Sequence, residues 1–201
     1  MFRRRSIAVW QNGMMRSRML AILLAAILSA PAALHADPRL GPARTLLLTG
    51  HYEAARKAYE QLAPQSPVAA AIGIARCQDA VGALDDALHT LEKVDANAAD
   101  TPDVAAEQAR LEFQRGHYDA AQAHVNAALA RNPDQPLARF MLAELHRVAG
   151  RLDLASDSYR WFVRFYNARQ DSLSDPEVLR WIGLAAAQYA VGHHSFTCAT
   201  P

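Results

Sequence analysis

Glycine is scarce in this sequence, and no catalytic motif is present. Nine glycines in 201 residues, together with an aromatic fraction of 7%, exclude collagen-like and low-complexity chains. The sequence contains no HExxH, GxSxG or GxGxxG pattern and no P-loop, which are the signatures of zinc peptidases, serine hydrolases, dinucleotide-binding domains and nucleotide-binding domains. We therefore expect a protein that is not an enzyme and that holds no cofactor.

Cysteine is also scarce, and the histidines are not arranged as metal ligands. The two cysteines, Cys77 and Cys198, lie far apart in the sequence. His193 and His194 precede Cys198, but no second thiol or acidic residue lies close to them, so we expect no metal site. Cys77 falls in a helical segment, where a buried free thiol is the common state.

Acidic residues are absent from residues 1–36, which carry five arginines. The rest of the chain has 16 basic and 20 acidic side chains, so its formal charge is −4. A phosphate backbone is attracted by an excess of positive charge, which this part of the chain does not have. We therefore expect no nucleic-acid partner.

An apolar run of fifteen residues, 19–33, follows two arginines, Arg16 and Arg18. A basic segment before an apolar run is the pattern of a secretory signal peptide, and a transmembrane helix needs about 20 apolar residues. We predict a signal peptide over residues 1–36, cleaved after Ala36. The mature protein is then periplasmic or secreted and has no membrane span. A retained signal-anchor is the alternative.

The start of this leader has more than one interpretation. Translation begins at Met1, Met14 or Met15, since both internal methionines lie just before the basic pair. Arg4 and Arg5 resemble a twin-arginine signal, although the flanking residues fit that pattern poorly.

The body of the chain contains a short phrase four times. Its first copy is Gly-His-Tyr-Glu-Ala-Ala, and the glycines of successive copies are separated by 32, 34 and 34 residues. The copies begin at Gly50, Gly82, Gly116 and Gly150. This period and phrase resemble the turn and the second-helix start of the tetratricopeptide repeat. The resemblance covers about residues 37–190, although the Trp and Leu-Gly residues typical of the first helix are mostly missing.

The repeated phrase has a simple physical explanation. Glycine ends the first helix because it adopts a left-handed backbone easily. The acidic residue that follows lies in the first turn of the second helix, where the helix dipole favours it. The alanine at the end of the phrase permits close packing of the two helices. Proline precedes or opens each first helix, where its missing N–H costs nothing; these prolines are Pro38, Pro67, Pro102, Pro136 and Pro176.

The fold that these units predict is an all-α, right-handed α-solenoid of about four helical hairpins plus one extra C-terminal helix. Each hairpin leaves an apolar face that only the next hairpin covers, so the units stack. The expected units are about 37–66, 67–100, 101–134 and 135–172, with a partial unit over 175–190 and an irregular tail over 191–201. Because the tail fits no repeat, we expect a truncated or frame-shifted N-terminal piece of a longer repeat protein.

The resemblance implies that a protein or peptide partner binds in a concave groove lined by the first helices. Three arginines occupy the same position in successive units and predict an acidic ligand, because the guanidinium group matches a carboxylate. The alternative is a solvated face in which these arginines pair with Asp79, Glu107 and Glu144. The predicted partner-binding residues are Arg44, Arg76, Asp79, Arg110, Phe113, Phe140, Glu144 and Arg147.

The expected function is a non-catalytic scaffold that binds a protein or peptide outside the cytoplasm. One alternative is the N-terminal spacer or docking region of a longer exported protein that carries a peptidase-like or other hydrolase domain. Another is an envelope-polysaccharide assembly factor whose repeats recruit membrane-bound enzymes.

Overall fold

The computed structural model describes residues 38–94 and 102–197. Within these ranges every regular element is helical. The predicted signal peptide over residues 1–36, its alternatives and its cleavage after Ala36 lie outside the described residues. None of the helices in the described ranges combines the length and the apolar character that a membrane span requires.

The described helices form four hairpins followed by a ninth helix, with a single 3-10 turn, Pro38–Leu40, before the first hairpin. Each hairpin has a first and a second helix joined by a short turn. In chain order the helices are α1 Gly41–Leu48, α2 Tyr52–Leu62, α3 Pro67–Ala80, α4 Leu84–Glu92, α5 Pro102–Gln114, α6 Tyr118–Arg131, α7 Pro136–Val148, α8 Leu152–Arg169 and α9 Pro176–Thr197.

The packing of these helices is that of an α-solenoid. The two helices of each hairpin pack against each other, and the second helix also packs against the next hairpin. The first helices α1, α3, α5, α7 and α9 each contact the next one in the series. The prediction of an all-α solenoid with four hairpins and one further helix is therefore confirmed.

The four turn glycines adopt the left-handed backbone that their position predicts. Their φ angles lie between +71° and +82°. In the first turn the amide of Gly50 donates to the carbonyl of Leu47 at 3.2 Å, and the amide of His51 donates to the carbonyl of Leu46 at 2.9 Å. This is the Schellman pair of hydrogen bonds, which satisfies the last carbonyl groups of the first helix. The same pattern recurs at Gly82, Gly116 and Gly150.

Small residues bring the helices of the solenoid close together. The alanine of the repeated phrase is at most 3% exposed in all four hairpins, at Ala55, Ala87, Ala121 and Ala155. At Gly73 in α3 the approach is closer than alanine permits, since a Cβ atom would overlap with the ring of Tyr59 in α2. Alanine-rich packing thus permits the close approach of helices that stacked hairpins need.

Helix α9 extends further than the sequence predicts. An irregular tail was expected from residue 191, but the helix continues to Thr197. The prediction is wrong for residues 191–197 because this stretch contains no proline, and extending an existing helix avoids the cost of nucleating a new one. The predicted tail over 198–201 lies outside the described residues.

The inner face of α9 is anchored on the last hairpin. Val178, Trp181 and Ala185 are buried, at 7%, 8% and 0% exposure. Trp181 and Ala185 belong to the hydrophobic cluster formed by α5 to α8. This anchoring fixes where the first turn of α9 lies relative to the other first helices.

Candidate protein-binding groove

The first helices present three arginines at equivalent positions. Arg44 in α1, Arg76 in α3 and Arg110 in α5 each lie six residues before the turn glycine of their hairpin. Their side chains are 19%, 21% and 13% exposed. We call these three residues the arginine column, and the surface of the first helices around it the groove.

A buried carboxylate joins two members of the arginine column. Glu107 in α5 is 2% exposed. Arg76 donates from Nε to Glu107 Oε1 at 2.9 Å and donates a second hydrogen bond from Nη2 to the same oxygen. Arg110 donates from Nε to Glu107 Oε2 at 2.9 Å. Both carboxylate oxygens are thus engaged by guanidinium groups, which is the strong form of this interaction.

The charges in this buried network stabilise one another. Burial alone raises the pKa of the Glu107 carboxyl, but Arg76 and Arg110 outweigh burial and hold that pKa below its usual range. Burial also lowers the pKa of Arg76, while Glu107 and Glu177 raise that pKa by more, so the guanidinium stays charged. Asp79 completes the network, because its Oδ2 accepts a hydrogen bond from Arg110 Nη1 at 2.6 Å.

The residue just before α9 and the first turn of α9 bring two more carboxylates, Asp175 and Glu177, to the arginine column. Arg44 Nη1 lies 3.8 Å from Asp175 Oδ1, and Arg76 Nη1 lies 3.2 Å from Glu177 Oε2. The side chains of Asp175 and Glu177 are 19% and 16% exposed, so both pairs are partly shielded from solvent. The arginine column therefore holds acidic residues from a segment that lies far from it in the sequence.

A cavity of about 270 Å³ opens beside these pairs. The residues that line it include Leu47, Tyr52, Arg76, Arg110, Glu177 and Arg180. In Arg110 the Nη2 atom is buried and has no hydrogen-bond partner among the described residues. The lining thus combines apolar and charged side chains, and one of its residues, Arg110, carries an unsatisfied donor.

The fourth position of the arginine column is occupied by an acid that belongs to a separate cluster. Glu144 in α7 accepts hydrogen bonds from Arg147 Nε at 3.0 Å and from the hydroxyl of Tyr159 in α8. Burial and this hydrogen bond raise the pKa of Tyr159 above its usual range. Glu144 and Arg147 thus pair with each other and with α8 rather than with the arginine column.

The two predicted aromatic residues pack against other rings. Phe140 in α7 lies 5.2 Å from the ring of Trp181 and 6.4 Å from that of Phe162, between ring centroids. Phe113 in α5 lies 5.3 Å from Tyr118 at the start of α6. Phe140 therefore contributes to the core that anchors α9, whereas Phe113 packs at the turn of its own hairpin.

Of the predicted partner-binding residues, the structure brings together Arg44, Arg76, Asp79 and Arg110. Their role in binding remains a prediction. Sequence reasoning missed the contribution of Asp175 and Glu177. The available signal was the pair of acids at the start of a helix, but nothing in the sequence shows that this helix start reaches the arginine column.

Comparison with known proteins agrees with the repeat pattern. Two family models described as tetratricopeptide repeat match residues 46–111 and 106–169. No curated protein matches the chain.

Among solved structures, the chain is similar to TTC0263, a thermophilic TPR protein of Thermus thermophilus. The identity is 22%, the TM-score is 0.55, and the match covers 89% of this chain and 95% of that one. A structure of MamA protein matches at 17% identity with a TM-score of 0.49, over 79% of this chain and 86% of that one.

The matched residues run without a gap from 46 to 169 and include all four turn glycines. Each glycine has the left-handed backbone that ends a first helix, and each hairpin stacks on the next. The chain therefore belongs to the tetratricopeptide repeat family, whose members are in general non-catalytic scaffolds for protein–protein interaction.

Proposed function

We propose that this protein binds an acidic segment of a partner protein in the groove, outside the cytoplasm. The single observation that carries the proposal is the pairing of Asp175 and Glu177 with Arg44 and Arg76. These carboxylates come from a segment outside the first three hairpins, and the arginine column is arranged to receive them. An acidic segment of another protein offers the same chemistry.

The charge of the whole chain supports a local rather than a general attraction. The residues after 36 carry a formal charge of −4, so an acidic peptide is repelled on average. The arginine column is a local exception, and its partly buried guanidinium groups interact with carboxylates more strongly than exposed ones do. Because the rest of the surface repels acidic peptides, an acidic segment would bind specifically at the arginine column.

Location outside the cytoplasm is supported by the leader sequence. The basic segment with Arg16 and Arg18, followed by the apolar run over residues 19–33, has the composition of a secretory signal peptide.

A docking region within a longer exported protein is the second candidate. One observation favours it: the outer face of α9 exposes Leu179, Leu184 and Val191, at 40%, 41% and 65%. The terminal helix of a solenoid ordinarily has a polar outer face. A further packed unit would cover these side chains.

The first experiment measures peptide binding by fluorescence anisotropy. The probe is three copies of Ser-Asp-Pro-Glu, which is the sequence of residues 174–177, and the neutral control probe has Asn and Gln in place of the acids. We expect the acidic probe to bind, the neutral probe to bind at least about tenfold more weakly, and added salt to weaken binding.

Arg44→Gln is the informative variant, because Arg76 and Arg110 also hold the buried Glu107. We expect Arg44→Gln to weaken binding severalfold. Arg164→Gln is the matched control, since Arg164 is exposed on α8 and the change in net charge is the same. Equal binding of both probes, or an equal loss in both variants, contradicts the proposal.

A further inference from the structure

We infer that the first turn of α9 is a built-in occupant of the groove, which an acidic partner must displace in order to bind. This inference rests on the proposed function, and it names the form of the binding-competent state. In that state Asp175 and Glu177 have left the arginine column, and the carboxylates of the partner take their place.

The contacts of this turn are those of a weak occupant. Asp175 lies 3.8 Å from Arg44, which is an ion pair but not a hydrogen bond, and Glu177 contacts Arg76 at 3.2 Å. By contrast, Glu107 accepts a hydrogen bond from Nε of the same Arg76 at 2.9 Å, and Glu107 is only 2% exposed. The Glu177 oxygen that faces Arg76 is buried and has no hydrogen-bond partner among the described residues, which is an unfavourable state for a carboxylate.

The occupant also leaves part of the site unused. The buried Nη2 of Arg110 has no hydrogen-bond partner among the described residues, and Arg110 lines the 270 Å³ cavity together with Glu177. An incoming segment that carries an additional carboxylate can satisfy this donor. Such a segment gains an interaction that α9 does not make, which allows it to compete against a group already held at high local concentration.

The first turn of α9 can be released without unfolding the helix. Trp181 and Ala185 anchor the following turns of α9 on the cluster formed by α5 to α8, so release of the first turn exposes only Val178 of the three buried apolar residues. Asp175 also caps the helix, because its Oδ1 accepts a hydrogen bond from the amide of Glu177 at 2.8 Å. Asparagine serves equally well as an N-cap, so Asp175→Asn removes the charge and keeps the cap.

The test compares three proteins with the acidic probe described above. The first is the wild type, the second is Asp175→Asn/Glu177→Gln, and the third is Asp157→Asn/Asp171→Asn. The third protein is a matched control, because it loses the same charge at two exposed positions on and after α8. Affinity is measured by anisotropy, and the opening of α9 is measured by hydrogen exchange of the amides in residues 177–182.

We expect the Asp175→Asn/Glu177→Gln protein to bind the probe roughly tenfold more tightly than the wild type. In most wild-type molecules α9 occupies the groove, and the apparent affinity is lowered in proportion to the fraction of molecules whose groove is free. The control protein should bind like the wild type. In the wild type, the probe should increase exchange of the first turn of α9 as it displaces that turn.

The other outcomes separate the two proposals. If the wild type and the Asp175→Asn/Glu177→Gln protein bind the acidic probe equally, and the first turn of α9 keeps its protection, the groove binds acids without displacement and the inference is wrong. Equal tightening in the control protein also overturns it, since net charge would then be the cause. If no protein distinguishes the acidic from the neutral probe, the proposed function itself fails.

Discussion

Replacing Glu107 with glutamine removes the negative charge that holds α3 and α5 together at the groove. The side chain is buried, and it accepts two hydrogen bonds from Arg76 and one from Arg110. Glutamine has nearly the same shape, but its side-chain NH2 group is a hydrogen-bond donor. It cannot accept the hydrogen bonds that the guanidinium groups donate. Removing one member of a buried ion pair costs about 3–5 kcal/mol, because the remaining charge stays buried without compensation.

The expected loss lies at the lower end of that range. Arg76 still contacts Glu177, and Arg110 still donates to Asp79, so neither guanidinium is left without a carboxylate. We therefore expect Glu107→Gln to lower the free energy of unfolding by about 3 kcal/mol. For a chain of this size the melting temperature should fall by roughly 6–12 °C.

The assay is urea unfolding followed by far-ultraviolet circular dichroism. The control is Glu60→Gln, because Glu60 pairs with Arg56 on the exposed surface of α2, where little or no change is expected. The reasoning is refuted if Glu107→Gln costs less than about 1 kcal/mol, or no more than the control.

Two further predictions concern glycine and pH. Gly116→Ala should destabilise the protein by about 1–2 kcal/mol, because the φ of Gly116, +80°, is left-handed. Gly183→Ala should stabilise the protein by about 0.5–1 kcal/mol, because glycine inside a helix is less favourable than alanine. If urea unfolding shows changes of the same sign for both variants, this account is contradicted. The lowered pKa of Glu107 means that its stabilising effect is present above the unfolded-state pKa of about 4.3 and is lost as pH falls through the lower folded-state pKa. The difference in stability between the wild type and Glu107→Gln should therefore shrink as the pH falls below about 4.3, and a constant difference in unfolding free energy as the solution is acidified would show that the charge is not the cause.

Much of the fold could be predicted from local sequence. A glycine that must adopt positive φ, an acid in the next helical turn and an alanine at the helix crossing depend only on residues close in the chain. Because these requirements repeat with a period near 34 residues, four hairpins and their stacking follow from the pattern. The error at residues 191–197 arose where no such punctuation exists, since weak helix formers do not by themselves end a helix.

The candidate site was predicted only in part. The arginine column was visible because Arg44, Arg76 and Arg110 share one register position. Pairing of Arg76 and Arg110 with Asp79 and Glu107 was one of two alternatives, and the structure contains those pairs. Glu144 and Arg147 were assigned to the same surface. In the structure Glu144 accepts hydrogen bonds from Arg147 and from Tyr159 in α8, so the two residues form a separate cluster.

The repeat, its turns and the order of its helices follow from the amino-acid sequence, because each of these depends on interactions between neighbouring residues or neighbouring units. The identity of the carboxylates that reach the arginine column depends instead on how the distant helices pack. Contact between α9 and the first three hairpins depends on how the small displacements between successive hairpins accumulate, and on where Trp181 anchors the last helix. No local pattern encodes that sum, so Asp175 and Glu177 became part of the groove only once the helices were packed.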